Sequence, residues 1–241
     1  MVDGEVGFRI LEWLMENFVD DLSLVIYINE SESIVECKNL GIECKKYISN
    51  DDILAHTTEK DLSFDVGFLL WWPHIIKGEL LNVPSEGFIN THPSLLPYGR
   101  GRNPNFWALK NNTPFGVSLH FVDRGIDSGD IIAQKELEYD WEDNGKSIHE
   151  KGKNGIYNLF CETYSSIRNF NFKVSHQTCT EEYHFSKDMD KACDIDLNKK
   201  YTARDLLNVL RARTFNEKPS CYFIDNSSRY NVSVEIKKEK I

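Results

Sequence analysis

From Phe8 to His92 the chain alternates between helical-period segments and short, nearly continuous apolar runs. Phe8, Leu11, Leu14 and Phe18 recur every three to four positions and predict an amphipathic helix over 7–19. Leu22 to Ile28 reads as a buried strand and Ser31 to Leu40 as a helix. Ile42 to Ile48 reads as a strand that Lys45 and Lys46 make a poor central one. After an acidic loop, Phe64 to Leu70 is a stronger strand; His74 to Leu81 reads as a helix stopping before Pro84. This alternation predicts an α/β domain with a mostly parallel sheet and helices on both faces. Met1 to Val6 is too short and polar for the strand that usually opens such a sheet. The chain is therefore expected to begin at a helix or to lack its first strand.

The next run, Gly87-Phe-Ile-Asn-Thr-His-Pro-Ser-Leu-Leu-Pro97, reads as a strand entering a proline-rich loop. Side chains two apart on a strand share a face, so Asn90 and His92 emerge side by side at its end. An amide donor beside an imidazole can stabilise an oxyanion and move a proton. Downstream, Asn103 to Asn111 reads as a helix with Pro104 in its first turn. Phe115 to Val122, carrying His120, and Ile131 to Tyr139 read as strands forming an antiparallel pair across the loop Asp123-Arg-Gly-Ile-Asp-Ser-Gly-Asp130. Ser147 to Phe170 is a long amphipathic helix, and 171–199 is polar with few signals. Thr202-Ala-Arg-Asp205 fits a capping box ahead of Leu206, Val209 and Leu210. Beyond Pro219, Cys221 to Ile224 and Tyr230 to Ile236 flank the turn Asp225-Asn-Ser-Ser-Arg and predict a hairpin.

Size and charge narrow the class. The 241 residues suit a catalytic-type domain over 1–175 and a C-terminal extension over 176–241. A formal net charge of -10 argues against a nucleic-acid partner, because phosphate-backbone binding leans on clustered Lys and Arg. The six cysteines, Cys37, Cys44, Cys161, Cys179, Cys193 and Cys221, include no CxxC pair and no zinc-finger spacing. The sequence shows no signal peptide and no membrane-length apolar run, so the expectation is a reduced, cytoplasmic protein with no membrane partner.

Two stretches together carry a resemblance. Gly87 to Pro97, followed by His120-Phe-Val-Asp-Arg-Gly-Ile-Asp-Ser-Gly-Asp130, resembles the folate-dependent formyltransferases, which move a formyl group from N10-formyltetrahydrofolate to an amine. The intervening Tyr98-Gly-Arg-Gly-Arg-Asn-Pro-Asn-Phe-Trp-Ala-Leu109 is similar to the sugar N-formyltransferases, which act on nucleotide-linked amino sugars. The resemblance covers roughly residues 7–236 and implies a Rossmann-like sheet.

What it implies about the site is specific. Asn90, His92 and Asp127 match the catalytic set, with Asp127 lying 35 residues after His92. Pro73, His74, Ile75 and Ile76, behind Trp71 and Trp72, match the folate slot together with Asp123, Ile126 and Asp127. Lys77, Arg100, Arg102, Arg211 and Arg213 are the candidate cations for a diphosphate, Tyr222 for stacking the base, Ser94 and Tyr98 for the sugar. No role attaches to His120, His149 or His184; His120 reads as a core histidine. The resemblance further implies folate as cosubstrate, no metal, and a homodimer through the C-terminal hairpin. A dTDP-linked 4-amino- or 3-amino-dideoxyhexose is the implied acceptor, in the supply of lipopolysaccharide O-antigen sugars. The rivals are the tRNA and purine branches of the family, and a non-catalytic binding protein on the same scaffold.

Overall fold

The computed structural model describes residues 1–178, 183–215 and 220–239. Cys179 and Pro219 lie outside the described residues. The chain divides into two compact units. Met1–His92, Ser118–Ala133 and Ile156–His176 form the first; Pro93–Val117, Gln134–Gly155 and Gln177–Ile241 form the second.

In the first unit, helix α1 (Gly4–Phe18) buries Ile10, Leu11 and Leu14, as its periodicity predicts. Strand β1 (Leu24–Tyr27), helix α2 (Glu32–Asn39) and strand β2 (Glu43–Lys46) follow, with β1 and β2 parallel from Leu24↔Glu43 to Tyr27↔Lys46. The expected acidic loop is instead helix α3 (Asn50–Glu59). Its capping explains the error. Ser49 Oγ accepts the Asp52 N–H at 3.1 Å, and Asp51 and Asp52 sit in the electropositive first turn. Residues that resemble loop composition are here the start signal of a helix.

Strands β3 (Gly67–Leu69) and β4 (Phe88–His92) pair in parallel. The helix expected over 74–81 does not form; a 3-10 turn at Gly78–Asn82 stands there instead. Gly78 takes φ +68°, which a helix cannot continue through, and the His74 ring stacks on Tyr47 with centroids 4.8 Å apart. β4 pairs antiparallel with β5 (Gly116–Phe121), and β5 lies beside β6 (Ile131–Glu136), giving the order β3-β4-β5-β6. The β5–β6 pair is antiparallel too, with Phe121 N–H on Asp130 O and Leu137 N–H on Phe115 O. The fold is α/β as expected, with a mixed sheet.

The residues ahead of α1 take part in the sheet. Val2 makes single parallel bridges to Tyr27 and to Leu70, and α1 begins directly afterwards. Gly7 lets this happen, because a Cβ there would strike the Leu70 carbonyl.

In the second unit, helix α4 (Pro104–Asn111) carries Pro104 in its first turn. Phe106, Leu109, Phe115 and Ile148 are buried with Val209, Leu210 and Cys221 in one core. Helix α5 (Gly145–Arg168) belongs to this unit as far as Gly155 and to the first beyond it. Helix α6 (Ser186–Ala192) occupies part of the polar stretch that gave no signal. Helix α7 (Ala203–Ala212) is capped as predicted, Thr202 Oγ1 accepting the Asp205 N–H at 3.1 Å. β7 (Cys221–Asp225) and β8 (Ser228–Val232) form the expected hairpin; its two turn residues, Asn226 and Ser227, both have positive φ. Cys37, Cys44, Cys161, Cys193 and Cys221 are free thiols. Among the described residues no helix is long and apolar enough to cross a membrane.

Candidate active site

Strand β4 carries two of the three residues singled out in the sequence, and its pairing brings in a fourth. Asn90 stands opposite His120 in the antiparallel register, and His92 opposite Ser118. Asn90 Nδ2 lies 3.2 Å from His120 Nε2 and 3.5 Å from Asp127 Oδ1. Asp127 Oδ2 is 3.7 Å from His92 Nδ1, and Asp127 Oδ1 is 3.7 Å from His120 Nε2. One carboxylate thus faces two imidazoles and an amide, all within the first unit.

The tautomer of His120 follows from its partners. Nδ1 lies 2.8 Å from Phe121 O, which can only accept, so Nδ1 carries the proton. Nε2 is then a lone pair, and Asn90 must donate to it. Burial pulls the His120 pKa down to about 4, although the Asp127 carboxylate opposite pushes it upward. The ring is neutral at physiological pH and fixes which way the Asn90 amide points. The second Asn90 N–H meets Asp127 only at the limit of a hydrogen bond, so a better acceptor can claim it.

The loop holding Asp127 is braced from inside. Asp123 Oδ1 accepts from Gly125 N–H at 2.9 Å and from Ser128 Oγ at 2.7 Å. Gly129 sits under the Phe121 carbonyl, where a Cβ would collide. Asp127 itself takes φ +48°, a region non-glycine residues seldom occupy, and functional sites collect such outliers. Ile126 beside it is half-buried.

Thr91, between the two motif residues, received no role in the sequence. It points to the opposite face, buried, donating to Leu69 O at 3.0 Å and accepting from Trp71 N–H at 3.0 Å. It ties the exit of β3 to β4. The segment beyond, Pro73 to Ile76, is anchored at Ile76, which is buried with Met1, Ile26, Ile53, Leu69, Leu80 and Phe88. Ile75 is exposed; its carbonyl accepts from Asn50 Nδ2 at 3.0 Å. Trp72, Tyr47 and His74 form an aromatic cluster, Trp72 meeting Tyr47 edge-on at 5.0 Å.

The residues matched to the nucleotide sugar lie in both units. Lys77 is exposed in the first unit. In the second unit Ser94 and Arg100 are buried, Tyr98 is half-buried and Arg102 is exposed. The backbones of Arg100 and Arg102 pair with His184, whose ring stacks on Trp107 at 3.8 Å. Arg213 Nη1 donates to Met189 Sδ at 3.4 Å. The Tyr222 ring carries the Arg229 guanidinium 3.7 Å from its centroid. Arg211 is held within the second unit. It is buried, donates to the carbonyls of Asp140 at 2.6 Å and Asp143 at 3.3 Å and to Asn208 Oδ1 at 3.1 Å, and lies over Trp141. Its Nε and Nη1 donors are engaged by the fold, which argues for a structural role over a diphosphate contact. His149 packs its ring near Phe215.

Comparison with known proteins places this arrangement in a class. A family model described as "Formyl transferase" matches residues 43–163, half of the chain, so the chain belongs to the formyl transferase family. A second, described as the N-formyltransferase dimerization C-terminal domain, matches residues 188–238. More particularly, the chain is similar to the dTDP-4-amino-4,6-dideoxyglucose formyltransferase of Mycobacterium tuberculosis, with 29% identity over 58% of this chain and 60% of that protein. It is also similar to the methionyl-tRNA formyltransferase of Thermodesulfovibrio yellowstonii, with 33% identity over 73% of this chain and 58% of that protein. The chain thus spans about three fifths of the length of these curated relatives. Among solved structures, a 4-N formyltransferase from Francisella tularensis superposes with a TM-score of 0.77 and 27% identity, over 97% of this chain and 96% of that one.

Proposed function

We propose that this protein transfers the formyl group of N10-formyltetrahydrofolate to the amino group of a nucleotide-linked amino-dideoxy sugar, with dTDP-4-amino-4,6-dideoxyglucose as the first acceptor to test. The observation that carries the proposal is the convergence of Asn90, His92 and Asp127, none more than 3.7 Å from the shared carboxylate.

The chemistry follows from the side chains. The neutral sugar amine attacks the formyl carbon, forming a C–N bond and an oxyanion. The second Asn90 N–H, loosely held by Asp127, donates to that oxyanion; one such donor contributes on the order of 3 kcal/mol to the barrier. His92 takes the proton lost by the amine, and the Asp127 carboxylate stabilises the resulting imidazolium. The carbonyl re-forms as the bond from formyl carbon to folate nitrogen breaks, and the proton passes to that nitrogen. His120 stays neutral and holds Asn90 in place.

The pterin takes the aromatic slot of Trp72 and Pro73 to Ile76, with Asp123 and Ile126 shaping the loop opposite. Lys77, Ser94, Tyr98, Arg100, Arg102, Arg213 and Tyr222 remain the proposed contacts for the nucleotide sugar. The hairpin β7–β8 is the proposed dimer contact, supported by the C-terminal domain match, and 1–175 with 176–241 the proposed division of labour. The methionyl-tRNA relative supports a second reading, formylation of an aminoacyl-tRNA. The net charge of -10 weighs against it. A discontinuous assay with each acceptor in turn separates the two: the sugar is consumed under the first reading, and the charged tRNA alone under the second.

A further inference from the structure

Two thiols meet in the core of the second unit. Cys193 ends helix α6 and Cys221 opens strand β7. Tyr222 N–H donates to Cys193 O at 3.0 Å and Ile195 N–H to Tyr222 O at 2.8 Å, so Asp194 and Tyr222 form a parallel bridge. Cys193 and Cys221 stand one register step before it. Adjacent strands lie about 4.8 Å apart. A disulfide spans Cα separations of about 4.4–6.8 Å, so this step suits one. The side chains face each other, the Cys221 S–H directed at the Cys193 sulfur. Cys221 Sγ also lies 3.4 Å from Val209 O. Both residues are buried in the core that holds Phe106, Leu109 and Ile148.

The surroundings make Cys193 the nucleophile of the pair. The hydrogen bond from Cys221 holds its thiol below the ordinary range; Arg213 and Lys110 help, while burial and Asp190 oppose. Arg213 Nη1 donates only to the Met189 sulfur, a weak acceptor, and its Nε is buried with no hydrogen-bond partner among the described residues. Its charge is left to favour an anion nearby. The same thiol–thiol bond and burial push Cys221 up. The other described cysteines differ. Burial pushes the Cys37 thiol up to about 12 and raises Cys44 and Cys161 as well. Access to Cys193 comes through α6, none of whose residues is fully buried, so its end opens at little cost.

We propose that Cys193 and Cys221 form a reversible disulfide, a modification site at which a hydroperoxide oxidises the thiol pair and locks the end of α6 to β7. The Cys193 thiolate attacks one peroxide oxygen; the S–O bond forms, the O–O bond breaks and hydroxide leaves. Cys221, giving its proton, attacks the sulfenic sulfur; the S–S bond forms and the S–O bond breaks with loss of water. Two thiols are oxidised by two electrons and one peroxide is reduced to two waters. A dithiol reductant reverses the change by exchange. The bond closes a loop that contains α7 and so tightens the C-terminal extension.

The test treats the whole reduced chain with a small excess of hydrogen peroxide, alkylates the remaining thiols and maps the peptides by mass spectrometry. A linked Cys193–Cys221 peptide is expected first, and dithiothreitol should release it. Amide exchange at Tyr222 and Ile195 should slow on the order of tenfold in the linked chain. Cys221→Ser should stop at a sulfenic acid on Cys193 that dimedone traps. Cys193→Ser should leave Cys221 oxidised at least about tenfold more slowly. Linkage of any other cysteines first, or oxidation of wild-type Cys193 to sulfinic acid without a link, overturns the proposal. So does a linked chain whose Tyr222 and Ile195 amides exchange no more slowly, which would show that the bond locks nothing.

Discussion

Asn90 Nδ2 donates to Nε2 of His120 across 3.2 Å, from one strand to its antiparallel neighbour. The bond orients the amide that the proposed chemistry relies on. It involves a histidine that is 2% exposed and whose other nitrogen is held by its own strand's backbone. His120→Phe removes the acceptor and lets the amide turn. The expected result is a loss in kcat on the order of tenfold or more, with KM little changed. His120→Gln, which keeps an acceptor, is expected to recover part of it. Steady-state kinetics of the three proteins check this; equal kcat values would remove His120 from the site.

The same burial makes a pH prediction. The folded state keeps His120 neutral down to about pH 4, whereas the unfolded chain protonates it near 6.5. Between those values the unfolded state binds more protons, so stability falls as pH drops through the window. For a fully buried ring the loss approaches about 3 kcal/mol. Urea unfolding between pH 7 and 4 should show a falling midpoint, and His120→Gln should flatten the part below 6.5.

Thr91→Val keeps the shape of a buried side chain and deletes the hydroxyl that joins Trp71 N–H to Leu69 O. Losing the two hydrogen bonds of this buried hydroxyl should destabilise by about 1–3 kcal/mol. Chemical denaturation measures this, and an unchanged midpoint would show that the tie between β3 and β4 contributes nothing.

Arg211 offers a contrast with a ligand-binding arginine. Arg211→Met should lower the melting temperature markedly, because two carbonyls and Asn208 lose their donor, and the folded enzyme should keep its KM for the nucleotide sugar. A raised KM with an unchanged melting temperature would return Arg211 to the diphosphate.

These residues also show what the sequence could disclose. A strand's period of two, which is local, placed Asn90 and His92 side by side, whereas Asp127 was singled out only through the resemblance of its loop to the formyltransferase motif, since glycine and aspartate by themselves mark a turn. His120 was present in the sequence as a strand residue. Its role depends on a register between β4 and β5 that spacing along the chain does not encode. Helix α3 was hidden because Ser49, Asp51 and Asp52 serve equally as loop residues and as an N-terminal cap, and only Ile53 and Thr57 are buried along it. The helix assigned to 74–81 failed in the opposite way: its apolar spacing was suitable, but Gly78 with positive φ and the stacking of His74 on Tyr47 claimed the segment. The burial of Arg211, a candidate diphosphate cation in the sequence, was not legible because it depends on partners from 140–143 that are distant in sequence.

The central claim is that Asn90, His92 and Asp127 carry out formyl transfer to a sugar amine. The most direct measurement is mass-spectrometric detection of dTDP-4-formamido-4,6-dideoxyglucose from the amino sugar and N10-formyltetrahydrofolate, using wild type and His92→Ala. Wild type is predicted to form the formamide, and His92→Ala to form it at least about a hundredfold more slowly while still binding the nucleotide sugar. Binding without turnover by wild type, or full turnover by His92→Ala, would contradict the account.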